Sequence, residues 1–242
     1  MTTTMRVLAI GAHPDDVELL CGGTLALYVD AGAQVTIAIA TNGEVGSSHG
    51  TREEIAERRH AEAHSAAERL GAQLIWIGFP DEFLFNDEAT RRRFIDVIRQ
   101  ASPDVMFVHA TSDYHPDHRV AGEVALDARI LCSVPLIEGA FPPCSIPHTF
   151  IMDTLDGSDF APEHIVDITD VIERKSAVLG EHASQREWLD TAYGMDYQES
   201  MREHSRARGK LVGVRYGEAF QSVNTFPQVG GPDLLPNVRA VA

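Results

Sequence analysis

The sequence has few cysteines and few basic residues, and each shortage excludes a class of protein. Its 242 residues include only three cysteines, Cys21, Cys132 and Cys144, and no CxxC pair. Scattered thiols of this kind argue against a disulfide framework and against a cysteine-based zinc site. Twenty Lys and Arg residues against 36 Asp and Glu give a formal net charge of −16. This charge repels nucleic-acid phosphates and anionic lipids, so we expect no nucleic-acid partner.

The sequence also lacks the apolar segments typical of membrane proteins and the glycine-rich motifs typical of nucleotide-binding sites. Its opening, MTTTMRVLAIGAHPDD, holds one basic residue and an apolar run that soon meets charge, so we expect neither a signal peptide nor a membrane span there. Gly11, Gly22 and Gly23 do not have GxGxxG spacing, and no Walker A motif occurs. We expect a cytoplasmic protein with one domain over residues 1–242 and a less regular tail from about residue 226.

Short apolar runs alternate with longer segments of helical spacing. The strands are predicted at Arg6–Ile10, Val35–Ala40, Leu74–Ile77, Val105–Val108 and Thr149–Met152. The helices are predicted at Val17–Ala31, Arg52–Leu70, Glu88–Gln100, His118–Leu131 and Ile172–Ala183. This alternation predicts a Rossmann-like α/β fold, with a mainly parallel sheet and helices on both of its faces. The proline-rich segment that follows, SVPLIEGAFPPCSIPH, is predicted to form a covering loop.

Two His-Pro-Asp turns follow two of the predicted strands. The first lies in AHPDD, directly after the strand at Arg6–Ile10, and the second lies in YHPDH, soon after Val105–Val108. The carboxyl ends of parallel strands meet at one edge of a sheet, and this edge is where such folds bind ligands. We therefore expect the two turns to lie close together in a functional site.

The side chains of these turns are typical of a metal-assisted hydrolase. His13 and Asp16 are three residues apart, so on a helical turn they share one face and can share a cation. The second turn offers another imidazole, from His115 or His118, and spacing alone does not choose between them. Two imidazoles and one carboxylate are the ligands of an open zinc site, although Fe(II), Co(II) and Mn(II) suit them too. Asp15 points away from Asp16 and is then free to act as a general base.

Two other interpretations of the same residues exist. A single His-Pro-Asp turn ordinarily caps a helix, but two turns at one sheet edge, with two adjacent aspartates, favour a bound cation. A Rossmann-like module that binds a sugar or a nucleotide without chemistry is the alternative from another class of protein.

The motifs resemble those of the LmbE-like, or PIG-L, zinc-dependent N-acetylglucosamine deacetylases. The paired signature is AHPDDVE with DYHPDH, and four further segments are similar to the family: ERRHAEAHSAAERLGA, GFPDEFL, EHASQ and YGEAF. The resemblance implies a hydrolase that removes acetyl from an N-acetylglucosamine-type conjugate. Its cofactor would be Zn²⁺, with Fe²⁺, Co²⁺ or Mn²⁺ as alternatives. The resemblance also implies a small amino sugar as substrate and allows a homo-oligomer, and removal of another N-acyl group is the nearest alternative.

The same resemblance assigns roles to individual residues. It implies metal ligands at His13, Asp16 and His118, a base at Asp15, an electrostatic partner at His115, and sugar contacts at Arg59 and Asp81. We make three other assignments, of which the one for His182 rests on its place in the family-like EHASQ segment. Asp113 is expected either to orient a ligand histidine or to cap a helix. His182 is a candidate for lining the pocket, and His60 and His64 are expected on an exposed helix face.

Overall fold

The computed structural model of the chain describes residues 4–226 and 232–241. In these ranges the strands are β1 (Arg6–Gly11), β2 (Gln34–Thr41), β3 (Gln73–Phe79), β4 (Val105–Val108), β5 (His148–Met152), β6 (His164–Asp167), β7 (Gly217–Ser222) and β8 (Val238–Ala240). The α-helices are α1 (Asp16–Asp30), α2 (Arg52–Leu70), α3 (Glu88–Ala101), α4 (Pro116–Leu131), α5 (Ile172–Leu179), α6 (Ala183–Tyr193) and α7 (Tyr197–Lys210). Both predicted types of element therefore alternate as expected through α4.

All eight strands belong to one sheet, in the order β3-β2-β1-β4-β5-β7-β6-β8. The first five strands are parallel to their neighbours, whereas β7, β6 and β8 pair in antiparallel fashion. The predicted Rossmann-like α/β class is confirmed, and the sheet is mixed rather than uniformly parallel. β6, β7 and β8 escaped prediction because they are only three to six residues long and lack the β-branched runs of the central strands.

The sheet is covered on both faces, as predicted. Successive side chains of a strand point to opposite faces. Val7 and Ala9 of β1 accordingly pack in one core, together with residues of α1, α2, α5 and α7. Leu8 and Ile10 pack in a second core with residues of α3 and α4. Burial on both faces explains why the central strands are continuous apolar runs in the sequence.

The helix ends follow local capping rules. Thr51 and Glu54 form a reciprocal capping box at the start of α2, and Gly71 ends that helix with a φ of 90°. α4 begins at Pro116, earlier than predicted, because His115 is its N-cap. α6 and α7 were not predicted. α6 buries none of its residues, so its sequence has no apolar stripe of the kind that marks a packed helix.

Two segments were predicted to be irregular, and the structure agrees with the prediction for one of them more closely than for the other. Residues 133–147 contain neither helix nor strand, as expected of a covering loop. The predicted tail is more regular than expected where it is described, because Pro232–Leu234 forms a 3-10 turn and β8 pairs with β6. Residues 227–231 and 242 of that tail lie outside the described residues. None of the helices in the described ranges combines the length and the apolar character needed to cross a bilayer.

Candidate metal centre and pocket

The two His-Pro-Asp turns meet where the chain connections change direction in the sheet. β1 lies between β2 and β4, so the connection leaving β1 runs to one side while β4 lies on the other. A crevice forms at such a switch point, beyond the carboxyl ends of the strands. His13 follows β1 there, and the turn at His115 follows β4. The expected meeting of the two turns is observed.

Donor atoms of three residues converge at this crevice. His13 Nδ1 lies 3.1 Å from His118 Nε2. The carboxylate of Asp16 is 3.3 Å from His118 Nε2 through Oδ1 and 3.4 Å from His13 Nδ1 through Oδ2. Ligands about 2.0–2.1 Å from a tetrahedral ion lie about 3.3 Å from one another. The residues present therefore fit a divalent cation.

Each histidine of this cluster has a carboxylate at its other ring nitrogen. His118 Nδ1 lies 3.1 Å from Asp113 Oδ1, whereas His13 Nε2 lies 3.3 Å from Asp81 Oδ1 and 3.5 Å from Asp117 Oδ2. Such carboxylates fix the tautomer of a metal-binding imidazole and make the ligand more basic. Of the two roles considered for Asp113, the geometry favours orienting His118, because the N-cap of α4 is His115.

The electrostatics of the cluster favour positive charge. Burial alone would lower the pKa of His13, but the carboxylates of Asp117, Asp16 and Asp81 raise it to about 10. His118 behaves in the same way, with a pKa of about 9, because Asp16 and Asp113 outweigh its burial. Buried carboxylates that stabilise protons on these nitrogens also stabilise a metal cation that replaces those protons.

Asp15 occupies a strained position beside the cluster. It precedes α1 with a φ of 114°, a conformation that side chains other than glycine rarely adopt and that is concentrated at functional sites. Its Oδ2 accepts a 2.5 Å hydrogen bond from the Tyr197 hydroxyl and lies 3.6 Å from Arg59 Nη2. Burial raises the pKa of Asp15, and the Arg59 guanidinium opposes this shift. A raised pKa suits a carboxylate that must take up a proton.

His115 has a defined hydrogen-bonding direction. Its Nδ1 accepts a 3.3 Å hydrogen bond from the backbone N–H of Asp117, so the neutral ring carries its proton on Nε2. Nε2 lies 3.3 Å from Glu82 Oε1 and the ring lines the pocket. Burial lowers the pKa of His115, and so does positive charge on His13 and His118. The site therefore presents a neutral N–H donor at His115 Nε2.

Arg59 and Asp81 line the same pocket and also hold its parts together. Arg59 donates from Nη2 to the Pro14 carbonyl at 2.7 Å, and Gly43 and Gly46 let it approach closely. A methyl group on either glycine would lie only 2.7 Å or 2.5 Å from Arg59 Nη1. The two carboxylate oxygens of Asp81 accept separate hydrogen bonds of 3.2 Å, from the Thr41 hydroxyl and from the backbone N–H of Val45.

His109 and Tyr197 are among the residues of the site that were missed in the sequence. His109 is the first residue after β4; its Nε2 lies 3.1 Å from Asp16 Oδ2 and its ring stacks on His118 at 4.3 Å between centroids. Its position directly after a predicted strand was an available signal. Tyr197 contacts Asp15 from 182 positions away in the sequence, and no local pattern marks it.

Three further histidines lie away from the donor cluster. His60 and His64 are exposed on α2, as expected. His182 is fully buried, with Nε2 3.5 Å from Glu18 Oε1, and it is not among the residues that line the pocket. The expectation that His182 lines the pocket is therefore wrong, because the N-terminal end of α6 turns its side chain inward toward α1.

The fold and the donor cluster together define a Rossmann-like α/β protein with a candidate metal centre at the switch point of its sheet. The chain belongs to the PIG-L family, because the family model described as GlcNAc-PI de-N-acetylase matches residues 8–129. The resemblance drawn from the sequence motifs is thereby confirmed.

Individual relatives cover most of the chain. It is 30% identical over 230 residues to the diacetylchitobiose deacetylase of Thermococcus kodakarensis, covering 90% of this chain and 83% of that protein. It is 27% identical over 243 residues to the 4-oxalmesaconate hydratase of Pseudomonas putida, covering 94% and 92%. The structure of the N,N'-diacetylchitobiose deacetylase from Pyrococcus horikoshii matches with a TM-score of 0.79 and 28% identity, covering 90% of this chain and 83% of that one.

Proposed function

We propose that this protein is a metal-dependent N-deacetylase that hydrolyses the acetamide of an N-acetylglucosamine-type conjugate. The observation that carries the proposal is the convergence of His13, Asp16 and His118 next to a buried carboxylate, Asp15, and an imidazole N–H donor, His115. Membership of the PIG-L family and the named activity of the diacetylchitobiose deacetylases support the same reaction.

The cation would be held by His13, Asp16 and His118, and we propose Zn²⁺, with Fe²⁺, Co²⁺ or Mn²⁺ as alternatives. When bound, a divalent cation supplies Lewis acidity that polarises the acyl oxygen and makes water more acidic. Three protein ligands would leave coordination positions open on the cation. Asp113 and Asp81 keep the two imidazoles oriented for this task.

Asp15 acts as the general base. Because its carboxylate is buried and its pKa is raised, it takes a proton from the attacking water more readily than an exposed carboxylate would. The Tyr197 hydroxyl and the Arg59 guanidinium hold this carboxylate in place. Its strained backbone directs the side chain away from Asp16, which leaves the two aspartates with separate tasks.

His115 acts on the acyl oxygen. Its Nε2–H donates to the acyl oxygen as negative charge develops there, which is the most effective use of a fixed donor in a buried site. The amine leaves once its nitrogen has gained a proton. Asp15 returns to that nitrogen the proton that it took from water, as the C–N bond breaks, so the products are acetate and an amino sugar.

Arg59 and Asp81 face the same pocket as the reacting groups. We propose that they contact sugar hydroxyls and, through the bonds described above, also position Asp15 and His13. Arg59 retains a buried Nε that has no hydrogen-bond partner within the protein, so it has a donor to spare for a ligand.

The proposal is tested by measuring acetate release from N,N'-diacetylchitobiose and from simple N-acetylglucosaminides. The metal-loaded protein should release acetate, a chelator should abolish release, and returned Zn²⁺ should restore it. N-propionyl and N-butyryl analogues, assayed beside the acetyl compounds, identify an enzyme for another acyl group.

Two outcomes would contradict the proposal. Turnover of 4-oxalmesaconate without acetate release from any glycoside would place the chain with its hydratase relative. Tight nucleotide binding to metal-free protein, with no hydrolysis of any amide, would favour a binding module.

A further inference from the structure

The pocket over the metal centre is larger than the acetamide group requires. Its volume is about 670 Å³, within the range of about 300–1,000 Å³ typical of sites that bury a drug-sized ligand. It extends from the donor cluster to α6, α7 and the segment between them. The part beyond the reacting groups must therefore accommodate the rest of the substrate.

This distant part of the pocket is bounded by apolar side chains, which we term the apolar wall. The wall consists of Trp188, Leu189, Tyr193, Met195 and Met201. Tyr193 is 70% exposed and Met195 is 40% exposed, although both are large and apolar. Trp188 and Tyr193 meet edge to face, with ring centroids 6.3 Å apart. Exposed apolar groups that line a pocket mark a place where an apolar ligand is bound.

The helix that supplies most of the apolar wall has little structural need for these residues. α6 has no buried residue. Leu189 is partly covered and packs against the core, whereas Trp188 is only partly covered and Tyr193 is exposed. Side chains that contribute little to the core are free to serve binding. Trp and Tyr also provide large contact areas at a small cost in side-chain entropy.

The positive groups of the pocket are confined to the metal centre. The donor cluster fits a cation, and Arg59, the lining residue that carries a guanidinium, lies beside it. Arg59 is itself buried, donates to the carbonyls of Pro14 and Gly43, and lies 3.6 Å from Asp15. Its guanidinium therefore serves the reacting part of the pocket. A carboxylate or phosphate placed at the apolar wall would find no other Lys or Arg in the described lining.

We propose that the substrate carries an uncharged apolar aglycone, at least as large as an aromatic ring, which packs against the apolar wall. This inference rests on the proposed deacetylase function. It assigns the wall to the aglycone rather than to the acyl group because the family and the deacetylase relatives are named for removal of acetyl, which leaves the conjugated group as the part that varies.

The experiment compares acetate release from three N-acetylglucosaminides of the same anomeric configuration, using metal-loaded full-length protein and testing both anomers. The glycosides are methyl, phenyl and 4-carboxyphenyl. We expect kcat/KM for the phenyl glycoside to exceed that for the methyl glycoside by at least about tenfold, because an aromatic ring is buried. The 4-carboxyphenyl glycoside should lose most of this gain in kcat/KM.

Variants of the wall connect the preference to the residues. Trp188→Ala should lower the phenyl-to-methyl ratio of kcat/KM toward one, and Tyr193→Ala, at a more exposed position, should lower it in the same direction. Leu211→Ala is the matched control, since Leu211 is 49% exposed at the end of α7 and does not line the pocket. The phenyl-to-methyl ratio of kcat/KM for Leu211→Ala should equal that of the unmodified protein.

The outcomes separate this inference from the proposed function. Equal kcat/KM values for the methyl and phenyl glycosides, or a preference for the carboxyphenyl glycoside, would overturn the inference and leave the deacetylase intact. Faster hydrolysis of an N-octanoyl than of an N-acetyl glucosaminide would overturn it too, by assigning the wall to the acyl group. Absence of acetate release from every glycoside would overturn the proposed function, and the inference with it.

Discussion

The region through α4 and the region of α6 and α7 contribute to the same pocket in different ways. Up to Leu131, most candidate site residues follow a buried strand or begin a helix, so the sheet fixes their positions, whereas Arg59 lies within α2. α6 instead presents Trp188 and Tyr193 from a helix with no buried residue. Chemistry in this protein is therefore built on rigid elements, whereas substrate selection is built on a segment that can change without disturbing a core.

Tyr197 is where the two regions meet. It belongs to α7, it is buried, and its hydroxyl bonds the carboxylate of Asp15. The later helices thus do more than close the pocket, since one of their side chains contacts the proposed base. The predictions below test how far the division of tasks extends.

The largest effects are expected from the adjacent aspartates, which belong entirely to the first region. Asp16→Asn should abolish activity and reduce bound metal from about one equivalent per chain to almost none, because a charged ligand is lost. Asp15→Asn should keep the metal but lower kcat by about 10²- to 10⁴-fold, the contribution typical of a general base. Metal analysis and steady-state kinetics on the two proteins measure the difference.

Each variant serves as the control for the other, since both replace a buried carboxylate by an amide of the same size. Thermal unfolding should show that both proteins are folded. Metal loss from Asp15→Asn, or full turnover by it, would contradict the separation of tasks between the two residues.

The sequence could predict the chemical half of the site for a physical reason. His13, Asp15 and Asp16 form one short motif directly after a strand, and that strand is recognisable because it is buried on both faces. α2 was predicted with its observed ends because Thr51 and Gly71 are strong local signals for capping. Local interactions, which a sequence displays directly, determined these features.

The remaining features depend on contacts between distant parts of the chain. The Tyr197 bond to Asp15 joins positions 182 apart. The neutral state of His115 depends on a hydrogen bond from the backbone of α4 and on the neighbouring imidazoles. α6 has no apolar stripe to recognise because it buries nothing. Periodicity and motif spacing carry no information about such contacts.

The second prediction concerns the pH dependence of metal binding. Without metal, the neighbouring carboxylates raise the pKa values of His13 and His118 to about 10 and about 9, so this pair of imidazoles, whose facing nitrogens lie 3.1 Å apart, retains extra proton binding at neutral pH. A metal must displace these protons. Apparent affinity should therefore rise by about ten- to a hundredfold per pH unit between pH 6.5 and 9, as measured by chelator competition corrected for the chelator's own protonation.

The stabilising effect of the metal should also increase as the pH rises. Both histidines have pKa values in the folded protein above the ordinary 6.5, so their protonated forms stabilise the metal-free fold fully below that pH. This stabilisation is lost as pH rises through about 9 to 10. The Tm difference between metal-loaded and chelator-treated protein should therefore widen from pH 6.5 to 9, and a constant difference would argue against these histidines as ligands.

The smallest effect is expected where the two regions touch. Tyr197→Phe removes the hydroxyl that bonds Asp15 and leaves the aromatic ring in its buried position. We expect kcat to fall by about tenfold with KM little changed, since the hydroxyl positions the base rather than the substrate. The acidic limb of the kcat/KM profile should also move to higher pH, because the Tyr197 hydrogen bond lowers the pKa of Asp15.

A matched control comes from the same pair of helices. Tyr193→Phe removes a hydroxyl at the exposed mouth of the pocket and should leave the acidic limb unchanged. A purely structural role for Tyr197 would lower Tm without moving that limb. If the limb moves only in Tyr197→Phe, α7 shares in the chemistry, and the division between a catalytic and a selecting region lies between α6 and α7 rather than after α4.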